Sequence, residues 1–205
     1  IGPYPAIRSE RAAPSSAACI SNFLQHHLRK AHRWHEHLGE HLAVPWRRQP
    51  NVPGTDGVAE VLEYGIDDWG DRFVVLTNLD APDFRLVTAP IDRPDEWTEL
   101  VPHVAGRRIM SAEGFAGHLV IHEWADAQPR LRVLFRDGGE RVLHLTDEPH
   151  DVELDNNPEW TATTVRYTMQ SLTLPASVYD EDVRTGERVL RKQMPVPGTD
   201  LSQYV

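Results

Sequence analysis

Cysteine is almost absent from this chain of 205 residues, where Cys19 stands alone. An internal disulfide and a cysteine metal cluster are therefore excluded. A lone thiol fits a reducing, cytoplasmic setting. Long apolar runs are absent too, and nothing approaches the roughly 20 apolar residues that a membrane-spanning helix needs. The first twenty residues hold Arg8, Glu10 and Arg11 and no apolar core run, so no secretory signal is expected there. Positive charge is in deficit. The chain carries 21 Lys and Arg against 31 Asp and Glu, a net charge of −10. That is the opposite of the basic footprint by which proteins displace counterions from nucleic acid. With 40% apolar and 25% charged residues, what remains is the composition of a folded, water-soluble domain.

Short β-rich runs recur at a fixed distance. Residues 73–76 and 119–121 are apolar, Val165-Arg166-Tyr167 is strand-like, and the three runs start 46 residues apart. Each is followed by a second run (84–87, 131–134, 177–179) and a third (97–100, 140–143, 187–190). A weaker candidate precedes each set, at 60–66, 107–111 and 151–154. Asp137-Gly138-Gly139 and Arg184-Thr185-Gly186 sit where hairpins must reverse, and glycine supplies the positive φ of such turns. Four strands per unit at this period is the signature of a β-propeller blade. No helical pattern follows residue 55, which argues against an αβ-sandwich. A plain β-sandwich stays open, although it gives no reason for the matched spacing. The expected fold is mainly β: a partial β-propeller of about three four-stranded blades, at about 58–102, 106–146 and 150–194, preceded by one amphipathic helix. Three blades leave sheet edges bare, so the pattern reads as part of a larger ring.

The first 54 residues differ in character. They carry seven Lys or Arg against three Asp or Glu, and six of the eleven histidines. This places a composition break near Pro53-Gly54. Leu24, Leu28, Ala31, Trp34, Leu38 and Leu42 fall at helical steps, with Ser21 as N-cap and Pro45 as stop, predicting a helix near 22–43. His26, His27, His32, His35, His37 and His41 lie on its polar face. His37 and His41 have the i,i+4 spacing that can share a metal. Leu38 stands where a zincin would carry Glu, so a solvated amphipathic face is the preferred reading and no metal ligand is assigned.

From about residue 58 onward the chain resembles oligopeptidase B, in the prolyl oligopeptidase family of serine peptidases. The motifs that carry the likeness run in order. They are Glu63-Tyr64, Gly70-Asp71-Arg72-Phe73 with Thr77-Asn78, and Trp97-Thr98-Glu99-Leu100-Val101-Pro102. Next come Glu113-Gly114-Phe115 with 118–121, then Arg166-Tyr167 with Ser171 and Pro175, and Thr185-Gly186-Glu187-Arg188. Leu190, Lys192-Gln193, Val196-Pro197-Gly198, Asp200 and Tyr204 complete the series. Met169-Gln170 and Thr199 depart from the pattern. The resemblance implies a propeller that caps an α/β-hydrolase peptidase domain, normally in the same chain, and limits substrates to short peptides cleaved after Lys or Arg. Residues 196–205 would then start the linker to that domain. The resemblance also implies a further blade where residues 1–54 stand, including a Ser/Thr-rich run ending in Ser-Glu. Residues 32–40, written in GC-rich codons and shifted by one base, can read Thr-Ala-Gly-Thr-Ser-Thr-Ser-Glu. A translation out of frame is thus one reading of residues 1–54.

Serine catalysis on such a fold needs Gly-x-Ser-x-Gly, and none occurs. No catalytic, cofactor-binding or metal residue is assigned, and no cofactor is expected. Asp180-Glu181-Asp182 with Gly186 lacks the closing Glu of a calcium loop and reads as a solvated hairpin end, as do Asp67-Asp68 and Asp71. Trp34, Trp46, Trp69, Trp97, Trp124 and Trp160 read as packing residues. Two other functions remain open: a free-standing propeller that binds a partner through its face, and a His-rich metal-binding protein.

Overall fold

The computed structural model describes the backbone of residues 44–53 and 59–62 and all atoms of residues 63–94 and 96–198. Every regular element among them is a strand. The first sheet contains β1 (Val44–Pro53), β2 (Ala59–Asp68), β3 (Arg72–Thr77), β4 (Arg85–Pro90) and β5 (Thr98–Val101). The second contains β6 (Arg108–Gly114), β7 (His118–Ala125), β8 (Gln128–Phe135) and β9 (Glu140–Val142). The third contains β10 (His150–Leu154), β11 (Thr164–Ser171), β12 (Ser177–Asp182) and β13 (Arg188–Gln193). Within each sheet the strands pair in chain order and antiparallel. Each repeat detected in the sequence is therefore one meander, as in a propeller blade. The expected turns are present, with Gly138 at φ 94° and Gly186 at φ 78°.

One strand lies on the amino-terminal side of the composition break. β1 pairs with β2 from Val44↔Ile66 to Pro53↔Ala59, with two register shifts. The first sheet has five strands where four were expected, and Pro45 stands in a strand. The helix expected near 22–43, with His37 and His41, lies outside the described residues.

The sheets stack face to face, and alternation along the strands feeds two apolar layers. Val74, Leu76 and Leu86 of the first blade meet Ile109, Leu119 and Ile121 of the second. Val120, Leu131 and Val133, on the other face of the second blade, meet Val165, Tyr167 and Met169 of the third. The one-residue offset between Leu119 and Val120 sends neighbours in β7 to opposite layers, as period-two geometry requires. This explains why the first strands of the first two triplets read as continuous apolar runs: they are covered on both sides, whereas β11 is covered on one face and alternates. A third cluster, Tyr64, Ile66, Phe73, Val75 and Val87, forms on the face of the first blade away from the second.

Polar groups fix the angle between the first two blades. The Trp69 indole N–H donates to the Phe115 carbonyl at 3.0 Å and the His118 carbonyl at 3.1 Å. The Asp67 carboxylate accepts from the Gly114 amide at 2.6 Å. At this approach a Cβ on Gly114 would lie 2.6 Å from the Asp68 carbonyl oxygen and 3.2 Å from the Trp69 ring. Gly114→Ala is therefore expected to lower stability by about 1–3 kcal/mol through overpacking. Gly117→Ala, where a Cβ would meet nothing within 4 Å, should change it little. Thermal unfolding of the two variants side by side measures the difference.

Candidate functional site

Antiparallel order gives the stacked blades two distinct ends. At one end lie the turns 69–71, 115–117, 136–139, 155–163 and 183–187. At the other lie 78–84, 126–127 and 172–176, together with the blade-to-blade connectors 102–107 and 143–149.

The first end is pinned. Arg136 lies 4.4 Å from the Trp69 ring centroid, pairs with Asp71 at 3.1 Å and donates to the Trp69 carbonyl. Arg184 lies 4.4 Å from the Phe135 ring centroid and pairs with Asp137 at 2.8 Å. Each arginine follows the third strand of its blade and grips the blade before it, combining cation–π attraction with an ion pair. Asp71 is held far below the usual carboxylate range, chiefly by its hydrogen bond from Arg72 with help from Arg136. His118 stacks on Phe115 at 4.5 Å and is buried. Burial above all, helped by the nearby Arg184 charge, lowers its pKa to about 4.

The acidic runs are solvated hairpin ends only in part: Asp71 is exposed in its turn as expected and Asp68 and Asp182 are half-buried, but three carboxylates correct the sequence reading. Asp67, Asp180 and Glu181 are buried. Asp180 receives Arg166 at 2.6 Å and Arg191 at 2.6 Å, and these hydrogen bonds hold its pKa low. Glu181 accepts from the Tyr167 hydroxyl at 2.7 Å and from Arg188 at 2.9 Å. Asp182 accepts the amides of Arg184 and Thr185 within its turn, and Asp68 accepts the Gly70 amide. Strand alternation sends these carboxylates in different directions to separate partners. Among the described residues no group of three or more His, Cys, Asp or Glu is arranged to hold a metal ion. Trp69 is buried and Trp97 and Trp160 pack against core clusters, whereas Trp124 is 42% exposed. Trp34 and the side chain of Trp46 lie outside the described residues.

The second end carries a cavity of about 490 Å³, lined by the second blade, the connector after it and one residue of the third blade. The β7–β8 turn, Arg130, the 143–146 connector and His150 line it. Glu123 lies behind Arg130 with 0% exposure. It takes the Arg130 Nε at 2.8 Å and Arg132 through Nε and Nη2 at 3.2 and 2.8 Å. Burial alone would raise its pKa, but Arg132 and then Arg130 outweigh it and hold the carboxylate ionised. The pair holds the Arg130 guanidinium on the sheet face that Glu123 shares with Leu119 and Ile121, toward the first blade. His150 Nδ1 lies 2.8 Å from the Glu148 carbonyl, to which it can only donate. Its Nε2 is buried and has no hydrogen-bond partner among the described residues. The hydroxyls nearby are engaged elsewhere: Ser171 and Thr173 bond Glu148, and Ser177 bonds the Pro175 carbonyl.

None of these cavity residues stood out in the sequence. The available signal was parity. Glu123 shares its strand face with Leu119 and Ile121, so a carboxylate at that position must be buried and paired. The turn beneath it carried no glycine. Asp126 and Ala127 both have positive φ, 54° and 61°, the conformation of a two-residue type I′ hairpin that ordinarily selects Asn-Gly.

Comparison with known proteins follows the same span. The prolyl oligopeptidase N-terminal beta-propeller domain model matches residues 53–194. The chain is similar to dipeptidyl aminopeptidase BI of Pseudoxanthomonas mexicana, 39% identical over 147 residues, covering 70% of this chain and 20% of that protein. It is 31% identical over 151 residues to the uncharacterized peptidase y4qF of Sinorhizobium fredii (strain NBRC 101917 / NGR234), covering 68% and 20%. It thus spans about one fifth of these curated relatives. Among solved structures, oligopeptidase B from Trypanosoma brucei with covalently bound antipain, in its closed form, superimposes with a TM-score of 0.62. The identity is 26%, with 73% of this chain and 24% of that one covered. Oligopeptidase B from Leishmania major gives 0.63 at 22% identity over the same shares, a likeness of fold.

Two outcomes follow from this geometry. Ala127→Gly relieves a left-handed alanine and is expected to stabilise the chain by about 0.5–1 kcal/mol, read as a raised melting temperature. For His118, the unfolded ring titrates near 6.5 and the folded one at about 4. The unfolded state therefore binds the extra proton between these values, and stability falls as pH drops through that window. The expected loss from pH 7 to pH 5 is about 2 kcal/mol. His118→Phe keeps the stack on Phe115 and should abolish this part of the slope in urea unfolding at the two pH values.

Proposed function

The chain belongs to the family of prolyl oligopeptidase N-terminal β-propeller domains, and from this premise we propose that it is the propeller lid of a serine peptidase, filtering short peptides on their way to a separate catalytic domain. It supplies no nucleophile of its own in this reading. The α/β-hydrolase domain, normally part of the same chain, is its partner, and short peptides cleaved after Lys or Arg are the substrates. The observation that carries the reading is the convergence of the second end of the blades. The two connectors, the cavity with Arg130 and His150, and the outgoing end of β13 all lie there. A peptidase domain following in the chain would meet the propeller on that side. Lone Cys19 supports a cytoplasmic setting.

A second reading of the reaction has a specific support. The 39% identity is to a dipeptidyl aminopeptidase, which favours release of dipeptides from a free amino terminus over internal cleavage. Both readings keep the propeller as the lid.

The test uses the longest open reading frame that contains these codons. Its product is expected to hydrolyse short Lys- or Arg-containing peptides and to be labelled by a serine-directed phosphonate, while the 205-residue chain does neither. Blocking the substrate amino terminus separates the two reactions: internal cleavage survives it and dipeptide release does not. A reading frame without peptidase activity would sink the lid assignment.

A further inference from the structure

Leu172 occupies the tip of the β11–β12 hairpin and is 97% exposed. A single exposed leucine is ordinary on a protein surface. This one is held in place. The Ser171 amide donates to the Leu174 carbonyl at 2.9 Å, and the Leu174 and Thr173 amides donate to Ser171 Oγ at 2.9 and 3.2 Å. Glu148, from the connector between the second and third blades, accepts from Ser171 Oγ at 3.2 Å and Thr173 Oγ1 at 2.6 Å. Leu174 turns inward and packs against the core of the third blade. The hairpin is thus anchored by one leucine and presents the other on a braced tip.

The surroundings extend the apolar character. The Met194 amide donates to the Ala176 carbonyl at 2.8 Å, so the chain leaving β13 runs beside the base of this hairpin. Met194 and Val196 on that segment are exposed as well. β13 runs toward this end of the blade, so whatever follows Gln193 begins next to the tip. The curated relatives are about five times the length of the matched span, so in them ample chain lies outside it to cover such a patch.

We propose that Leu172 is a docking anchor that inserts into an apolar pocket on the peptidase domain following in the same chain, with Met194 and Val196 flanking the contact. The inference rests on the lid reading given above. Its logic is that of an interface hot spot: ordering a rigid turn costs little on binding, so a pre-formed tip gains most of the burial of its side chain. The neighbouring cavity with Arg130 and His150 lies at the same end, so the anchor would also set the gap through which a peptide reaches it.

The experiment is cysteine labelling in the protein encoded by the longest reading frame. Leu172→Cys is compared with Glu159→Cys, an exposed position at the opposite, pinned end. Leu172→Cys is expected to react with a maleimide at least tenfold more slowly. A second reporter, Val196→Cys, should label severalfold faster when Leu172→Asp is added and unchanged when Leu172→Met is added. Equal rates at positions 172 and 159 in an active peptidase overturn the anchor and leave the lid reading standing. Protection that fades on dilution would assign the patch to a second copy and overturn it too. A product with no peptidase domain fails the lid reading itself, and the anchor with it.

Discussion

A sheet with apolar residues on both faces is stable only while both faces are covered, and in this chain the cover is the next sheet along. The second blade shows the constraint most plainly. Leu119 and Ile121 face one neighbour while Val120, one residue away, faces the other. Neither layer exists without the adjoining blade, so the angle between blades has to be fixed by something directional. Hydrophobic contact is not directional. The Trp69 indole and the Asp67 carboxylate are, and both reach across to backbone groups of the second blade.

The same demand recurs at the next junction with different chemistry. Arg184 on Phe135 and Asp137, and Arg141 on the carbonyls of Val183 and Arg184, tie the second blade to the third. Arg188 adds the carbonyls of His144 and Leu145. The acidic composition takes on a structural meaning here. The buried carboxylates of Glu123, Asp180 and Glu181 are each matched by one to three guanidinium groups, and that of Asp67 by a backbone amide. A buried unpaired charge would be costly, so the arginines are placed by the carboxylates as much as by the backbone.

Arginines tie blade to blade at both ends: at the second end Arg108 lies 4.7 Å from the Phe84 ring centroid and reaches the Pro82 carbonyl. The connectors, the cavity and the braced hairpin lie at this second end. Arg130 is held in place by the buried Glu123. His150 is fixed in the same way by the Glu148 carbonyl, while Glu148 steadies the hairpin tip through Ser171 and Thr173. One short connector thus organises both the cavity and the apolar tip beside it.

Strand positions, blade count and hairpin sites were legible because they depend on local signals. Period-two apolar runs such as 119–121 and turn glycines such as Gly138 are dictated by backbone geometry within a few residues. The ordered motifs from Glu63-Tyr64 to Lys192-Gln193 carried the family. β1 was missed because Pro45 and the arginines Arg47 and Arg48 look unlike a strand, and its pairing with β2 is a long-range fact. The acidic runs were misread for a related reason. Whether Asp180 or Glu181 is solvated depends on Arg166, Arg188 and Arg191, which sequence separation hides and only stacking and strand register bring near. By itself, then, the sequence determined which residues alternate, where the chain reverses and to which family it belongs. Tertiary structure decided which carboxylates are buried and which arginines tie blade to blade, because those depend on partners from other strands and blades that no local pattern encodes.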